Sequence, residues 1–268
     1  MIGGGVELPH TYGLKVITVY RGVSTLPEGT MQRQRELLRD YVDTLVRKML
    51  YTYSLFQTKT TIKQYSSLKG LKGDIENIGG VFKYTLPMRI IDDLMVCEVR
   101  AWLRARGTPA RQYQHLVRGR LREATIRNIL TSTLTSRVTR VLSRLDISLL
   151  DYRHRMVLRG VPDIITLNPN TVIELTVTPT SRINHILPRV ALYAIAISLV
   201  YGKHVVPYII STHDLTLLTI DLTSFNPEAI LHYLHRVLSV EYVYALKPNR
   251  SVCSRCEYRF VCSRGRYY

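Results

Sequence analysis

The chain has 268 residues, of which 46% are hydrophobic and 21% are charged, a composition typical of a globular protein with one large core or two smaller ones. Its longest apolar run, 190–201, is too short to cross a bilayer and predicts a buried helix. The 37 basic and 20 acidic residues give a net charge of +17, which favours a polyanionic partner. Membrane headgroups are an alternative polyanionic partner, but the sequence lacks an amphipathic anchor helix with Trp or Phe, so no membrane partner is expected.

The first third of the chain predicts one long helix followed by a loop. Residues 30–54 place apolar side chains at helical spacing, and Thr30 is a candidate N-cap. The glycine-containing stretch 70–80 is typical of a loop. We therefore divide the chain near residue 85, into a mainly helical N-terminal extension of unassigned role (1–85) and a second domain (86–268).

The segment that follows is predicted to be helical and is rich in arginine. We expect a helical stretch over 87–106 and one long helix or a bent pair over 109–145. Between Glu98 and Gly160 there are 14 arginines, no lysine and four acids. Ion-pair networks would need more acids, so this excess indicates contacts with the phosphates of a nucleic acid. The alternative is a solvated basic surface that has no partner.

The second half of the chain alternates between short strands and helices. Strands are predicted at 155–158, 162–167, 171–178, 204–210 and 215–220. Helices are predicted at 186–201 and 227–240. This alternation indicates an α/β fold in which a mixed central sheet is flanked by helices.

Four cysteines indicate a metal centre. Cys253, Cys256 and Cys262 cluster near the end of the chain, and Cys97 is the only other cysteine. Four thiolates can hold zinc or an iron–sulfur cluster, and the spacing does not separate the two. Disulfides would need an oxidising compartment, whereas the first residues lack the features of a signal peptide. We therefore expect bound metal and a cytoplasmic location.

Two acids lie on neighbouring predicted strands. Asp163 precedes one strand and Glu174 lies within the next, and the turn at 168–170 gives a register that places them side by side. With a backbone carbonyl, assigned to Leu175, they offer oxygen ligands for Mg²⁺ or Mn²⁺. A cation there could orient a phosphodiester and lower the pKa of an attacking water. The alternative is that Asp163 is a turn residue and Glu174 pairs with an arginine.

Glu123 is a third acidic candidate, on the long predicted helix among arginines. The alternative is an ion pair with Arg127, which lies four residues further on.

Residues 88–265 resemble the Cas-four-type exonucleases of CRISPR adaptation, which belong to the RecB-like PD-(D/E)XK nucleases. The matching segments, in the order of the family's motifs, are 93–102, 119–123, 160–163, 174–176, 189–193 and 253–262. The resemblance implies a nuclease fold whose helical part is closed by a 4Fe–4S cluster on the four cysteines. It also implies that Glu123, Asp163 and Glu174 bind the catalytic cation, and that Tyr193 lies at a motif of the active site.

Three positions depart from the family pattern. Glu123 stands where the family has histidine, Arg189 where it has glutamine, and Thr176 where it has lysine. A threonine hydroxyl cannot act as a general base near neutral pH, and we expect Arg189 to bind phosphate instead of polarising water. Two hypotheses follow: a metal-dependent DNA nuclease in which an arginine replaces the lysine, or a DNA-binding protein that cuts slowly or not at all. CRISPR adaptation proteins and further copies of the chain are partners that the resemblance implies.

Aromatic and histidine side chains add three smaller expectations. Tyr258 is expected to stack on exposed bases, and Phe260 to shield the metal centre from solvent. The histidines at 154, 185, 204 and 213 show no ligand spacing and are assigned no role.

Overall fold

The computed structural model describes residues 6–7, 12, 14–21, 31–57, 65–73, 81–110, 115–138 and 140–262. The helices within these residues are α1 (Met31–Gln57), α2 (Ile90–Val96), α3 (Glu98–Ala105), α4 (His115–Thr135), α5 (Leu187–Tyr201) and α6 (Pro227–Leu238). The strands are β1 (Val6–Glu7), β2 (Lys15–Arg21), β3 (Leu68–Lys72), β4 (Tyr84–Pro87), β5 (Arg140–Ser143), β6 (Ile147–Asp151), β7 (Met156–Gly160), β8 (Ile164–Leu167), β9 (Thr171–Thr176), β10 (Val206–Ser211) and β11 (Thr216–Asp221). None of these helices is both long enough and apolar enough to cross a membrane.

The strands form two mixed sheets instead of the single sheet expected. The large sheet has the order β1-β2-β11-β10-β9-β8-β5, and its β9–β10 pair is parallel. The small sheet has the order β3-β6-β7-β4, and its β4–β7 pair is parallel. The other neighbouring strands are antiparallel. The predicted α/β class is confirmed.

Helix α5 lies between the two sheets. It contacts β3 and β6 of the small sheet and β9 and β10 of the large one. Its sequence is apolar on nearly every face, which suits a helix that is buried all round. On the opposite face of the large sheet, α1 and α4 pack together over a second apolar cluster. The layer order therefore places α5 directly behind β9.

Strand pairing joins the two parts of the chain that the boundary near residue 85 separates. β2 pairs with β11 in the large sheet, and β3 pairs with β6 in the small sheet. Helix α1 packs against α4. Residues before 85 thus supply strands to both sheets, in addition to the predicted helix. Thr30, its expected cap, lies outside the described residues.

Three other segments differ from expectation, and in two of them a strand pairs with a partner that is distant in the chain. The stretch 87–106 is divided at Cys97 into α2 and α3, and the stretch 109–145 ends in β5, which pairs with β8. Gly70 lies in β3 and not in a loop. A Cβ at Gly70 would overlap the carbonyl oxygen of Ala196, so the glycine permits the close approach of β3 to α5.

Candidate functional site

The β8–β9 hairpin places two acids side by side at one end of the large sheet. Ile164 pairs with Ile173, so the next pair outward brings Asp163 opposite Glu174, as the position of the turn predicts. Asp163 Oδ2 accepts the backbone N–H of Leu175 at 2.7 Å. The hairpin itself therefore fixes the carboxylate of Asp163 beside the strand that bears Glu174.

Arg189 joins this pair to a third acid that sequence reasoning missed. Its Nη1 pairs with Glu174 Oε1, and its Nε donates to Asp92 Oδ1 at 2.9 Å. The side chains of Arg189, Asp92 and Glu174 are each at most 12% exposed. Arg189 is thus engaged by two carboxylates inside the protein, and its expected role in binding phosphate stays a prediction. The sequence feature that could have pointed to Asp92 is the pair of adjacent aspartates, Asp92 and Asp93, in an otherwise apolar helical segment.

Burial raises the pKa of Glu174 to about 7, even though the charge of Arg189 acts in the opposite direction, and the charges of Asp163 and Asp92 add to the rise. Its second oxygen, Oε2, is buried and accepts no hydrogen bond from the part of the chain that the structure describes. Burial also raises the pKa of Asp163, although the Leu175 N–H and Arg127 partly offset the effect. An additional cation would relieve this unfavourable burial of negative charge.

Helix α4 brings a further arginine to the acids. Arg127 Nη2 pairs with Asp163 Oδ1. Glu123 lies one helical turn earlier, so helical spacing places it on the face of α4 that bears Arg127. Helical geometry therefore predicts that Glu123 lies on the side of α4 that faces the hairpin.

Thr176 and Tyr193 border the acids without offering a base. Thr176 follows Glu174 by two residues on the same face of β9, and its Oγ1 accepts the N–H of Thr178 at 3.1 Å. Tyr193 lies one turn after Arg189, and its hydroxyl contacts Gly160, where a Cβ would overlap it. Burial, together with the charge of Glu174, raises the pKa of Tyr193, so this hydroxyl stays protonated near neutral pH.

The four cysteines line one cavity between α3 and the C-terminal segment. None of them forms a disulfide. The backbone N–H of Asn249 donates to Cys97 Sγ at 3.4 Å, a contact that stabilises negative charge on sulfur. Their donor chemistry fits either an iron–sulfur cluster or zinc.

The thiols are close enough to influence one another. Burial raises the pKa of Cys253, and the charges of Cys97 and Cys262 add to the rise. Within the described ranges, no group of three or more His, Cys, Asp or Glu side chains forms a ready-made metal-binding arrangement. Binding would therefore require the four sulfur atoms to close in on a common centre and to lose their protons.

A buried ion-pair network positions the two halves of this cavity. Asp93, with no exposed side-chain surface, pairs with Arg100 at 2.5 Å and with Arg104. Both arginines also reach Glu257 Oε1, at 3.0 and 2.8 Å. Since Glu257 follows Cys256 directly, the network holds the C-terminal cysteines beside α3.

The aromatic expectations in this region were wrong. Tyr258 is only 1% exposed and lines the cysteine cavity, so it cannot stack on bases. Phe260 is 57% exposed and is not among the residues that line the cavity. The short turn after Cys256 directs Tyr258 inward, where its ring packs near the guanidinium of Arg104.

Comparison with known proteins adds little. No family model and no curated protein matches the chain. A solved structure titled "Crystal structure of SSO0001" is similar over 88% of this chain and 97% of that one, with 10% sequence identity and a TM-score of 0.44. A likeness this weak supports no inference about this chain.

Proposed function

We propose that the protein is a Mg²⁺- or Mn²⁺-dependent DNA nuclease of the Cas-four type, built on a PD-(D/E)XK nuclease fold. The observation that supports this most is the placement of Asp163 beside the buried Glu174 in the β8–β9 hairpin, with Glu174 Oε2 unpartnered among the described residues. A structural ion pair needs no spare buried oxygen, whereas a cation ligand does.

Asp163 and Glu174 would bind the cation, with Glu123 and the carbonyl of Leu175 as further ligands. A cation bound there would supply a water of lowered pKa and would neutralise charge on the scissile phosphate. The Leu175 N–H orients the carboxylate of Asp163. Arg189 holds Glu174 in place and favours its ionised form.

The missing lysine limits the expected rate. Thr176 cannot accept a proton at neutral pH, and the pKa of Tyr193 is raised. Arg127, which pairs with Asp163, could stabilise charge on a phosphate. We therefore expect cleavage slower by orders of magnitude than in an enzyme with a positioned base or charge stabiliser.

The four cysteines would hold a 4Fe–4S cluster, with zinc as the alternative. Its role would be structural, because it would tie Cys97 at the start of α3 to the C-terminal segment. Reduced thiols of this kind are usual in the cytoplasm, which is the location we propose.

DNA is the proposed partner because positive charge surrounds the acids. Arg89 is exposed and lies near enough to influence the pKa of Asp92. Arg182, just before α5, is also exposed. Both could bind phosphates on a strand that approaches the hairpin. CRISPR adaptation proteins and other copies of this chain are further proposed partners.

A second candidate function is DNA binding without cleavage. The observation that favours it is that Arg127 and Arg189 already pair with Asp163 and Glu174. Acids neutralised in this way would not repel DNA, even without a bound cation.

Cleavage of end-labelled single- and double-stranded DNA tests these alternatives. Protein prepared without oxygen is given Mg²⁺ or Mn²⁺ and compared with Glu174→Gln, Asp163→Asn and a control, Glu241→Gln, which changes an exposed acid. We expect cleavage by the parent and the control, and loss in the two hairpin variants. Equal cleavage by the parent and its three variants, or cleavage by none of them, would reject the proposal of a nuclease. DNA binding retained by all four would then support the second function.

A further inference from the structure

Three histidines from two distant parts of the chain meet beside the small sheet. His154 lies in the turn between β6 and β7, whereas His232 and His235 lie three residues apart on α6. His154 Nε2 and His232 Nδ1 are 3.4 Å apart. The rings of His154 and His235 have centroids 5.0 Å apart. None of these residues belongs to the acidic site or to the cysteine cavity.

Asp151 fixes the orientation of His154. Its Oδ2 lies 2.7 Å from His154 Nδ1, and its Oδ1 accepts the backbone N–H groups of Arg153 and His154. An acceptor-only carboxylate assigns the ring proton to Nδ1, which leaves a lone pair on Nε2 directed at His232. A histidine that donates one ring N–H to a carboxylate and presents the other nitrogen is the usual form of a metal-bound histidine.

The separation of the two facing nitrogens suits a shared metal ion. In a tetrahedral zinc site with Zn–N bonds of about 2.0–2.1 Å, two ligating nitrogens lie about 3.3–3.4 Å apart. The observed 3.4 Å agrees with that value and is long for a hydrogen bond. His235 is the third ligand within reach, because it shares a face of α6 with His232. The described side chains do not form a ready-made three-ligand site here, so rotation of the His235 side chain is needed to complete the set.

We propose that His154, His232 and His235 form a site for Zn²⁺ or a similar divalent transition metal, with Asp151 positioning His154. Imidazole nitrogens are ligands that such ions prefer over Mg²⁺ or Ca²⁺. His232 is exposed, so the fourth position is open to water. The ion would link the β6–β7 turn to α6, and with it the small sheet to the helix that precedes the cysteine segment.

Equilibrium dialysis against buffered Zn²⁺, with bound zinc measured by mass spectrometry, tests the site. The parent is compared with His232→Gln, His235→Gln and Asp151→Asn, and with His213→Gln, an exposed histidine in the β10–β11 turn, as control. We expect His232→Gln and His235→Gln to bind one zinc fewer per chain than the parent and the control. Asp151→Asn should weaken the affinity by about 10- to 100-fold.

The cysteines do not confound this difference, because every variant retains all four. NMR of the parent protein gives an independent test. If Zn²⁺ shifts the ring signals of His154, His232 and His235 but not that of His213, the site is supported. Equal zinc content in the parent, His232→Gln and His235→Gln would overturn the proposal. The contact between His154 and His232 would then be only a long imidazole hydrogen bond.

Discussion

Arg189 and Glu174 form an ion pair inside the protein, between the first turn of α5 and β9. Burial alone would lower the pKa of Arg189, but the charges of Glu174 and Asp92 raise it, so the guanidinium keeps its charge. The pair therefore places a permanent positive charge beside two acids whose own pKa values are raised by burial.

Removal of this charge should destabilise the fold. Arg189→Met leaves Glu174 and Asp92 buried without their cation, which typically costs about 3–5 kcal/mol of unfolding free energy. The loss should be smaller at pH 5, where protonation of the acids relieves the repulsion. Urea denaturation at pH 5 and pH 8 measures both values. The control Arg182→Met removes an exposed arginine and should change the free energy by at most about 0.5 kcal/mol. Equal urea midpoints for Arg189→Met and Arg182→Met would contradict the prediction.

Glu174 should make the metal-free protein less stable as the pH rises. Its pKa is about 7 in the folded chain against a reference of 4.5, so the native state holds a proton that the unfolded state has released. The contribution is full below about pH 4.5 and is lost by about pH 7, with a size on the order of 3 kcal/mol. Because burial also raises the pKa values of Asp92 and Asp163, the quantity to measure is the difference in unfolding free energy between the parent and Glu174→Gln. A difference in unfolding free energy between the parent and Glu174→Gln that does not change with pH would refute this prediction.

Gly160 should tolerate no side chain, because Tyr193 occupies the space. A Cβ at Gly160 would overlap the Tyr193 hydroxyl and lie 2.9 Å from two ring carbons. We expect Gly160→Ala to cost about 1–3 kcal/mol. Gly160→Ala/Tyr193→Phe should cost less than the sum of the single variants, because the hydroxyl that clashes is gone. Thermal or urea unfolding of the four proteins measures this coupling, and strict additivity would show that the two residues do not compete for space.

Loss of the metal from the proposed cysteine centre should also lower the stability of the protein. Anaerobically purified parent should contain iron and be brown, or contain zinc and be colourless if the alternative holds. Cys97→Ser and Cys262→Ser should each lose the metal and unfold at a lower temperature, as the parent should after treatment with a chelator. Ser254→Ala, an exposed change within the same segment, is the control. Unchanged metal content in Cys97→Ser would separate that residue from the C-terminal three.

Local sequence pattern was enough for the elements whose partners are close in the chain. The hairpin of β8 and β9 and the hairpin of β10 and β11 were predicted because their turns are short and their strands are β-prone. Once the turn at 168–170 was recognised, the period of two along a strand placed Asp163 beside Glu174. The apolar sequence of 190–201 likewise predicted the buried helix α5.

Only the tertiary structure decided what these residues contact. Asp92 reaches Arg189 across about a hundred residues, and Arg127 reaches Asp163 from α4. His154 meets His232 in the same way. Such contacts depend on how sheets and helices pack, and no local period or spacing encodes them. By itself, the sequence determined the α/β class and the hairpin that aligns the two acids. Long-range packing decided that arginines hold those acids, because α5, between the two sheets, brings Arg189 to Glu174, and α4 brings Arg127 to Asp163.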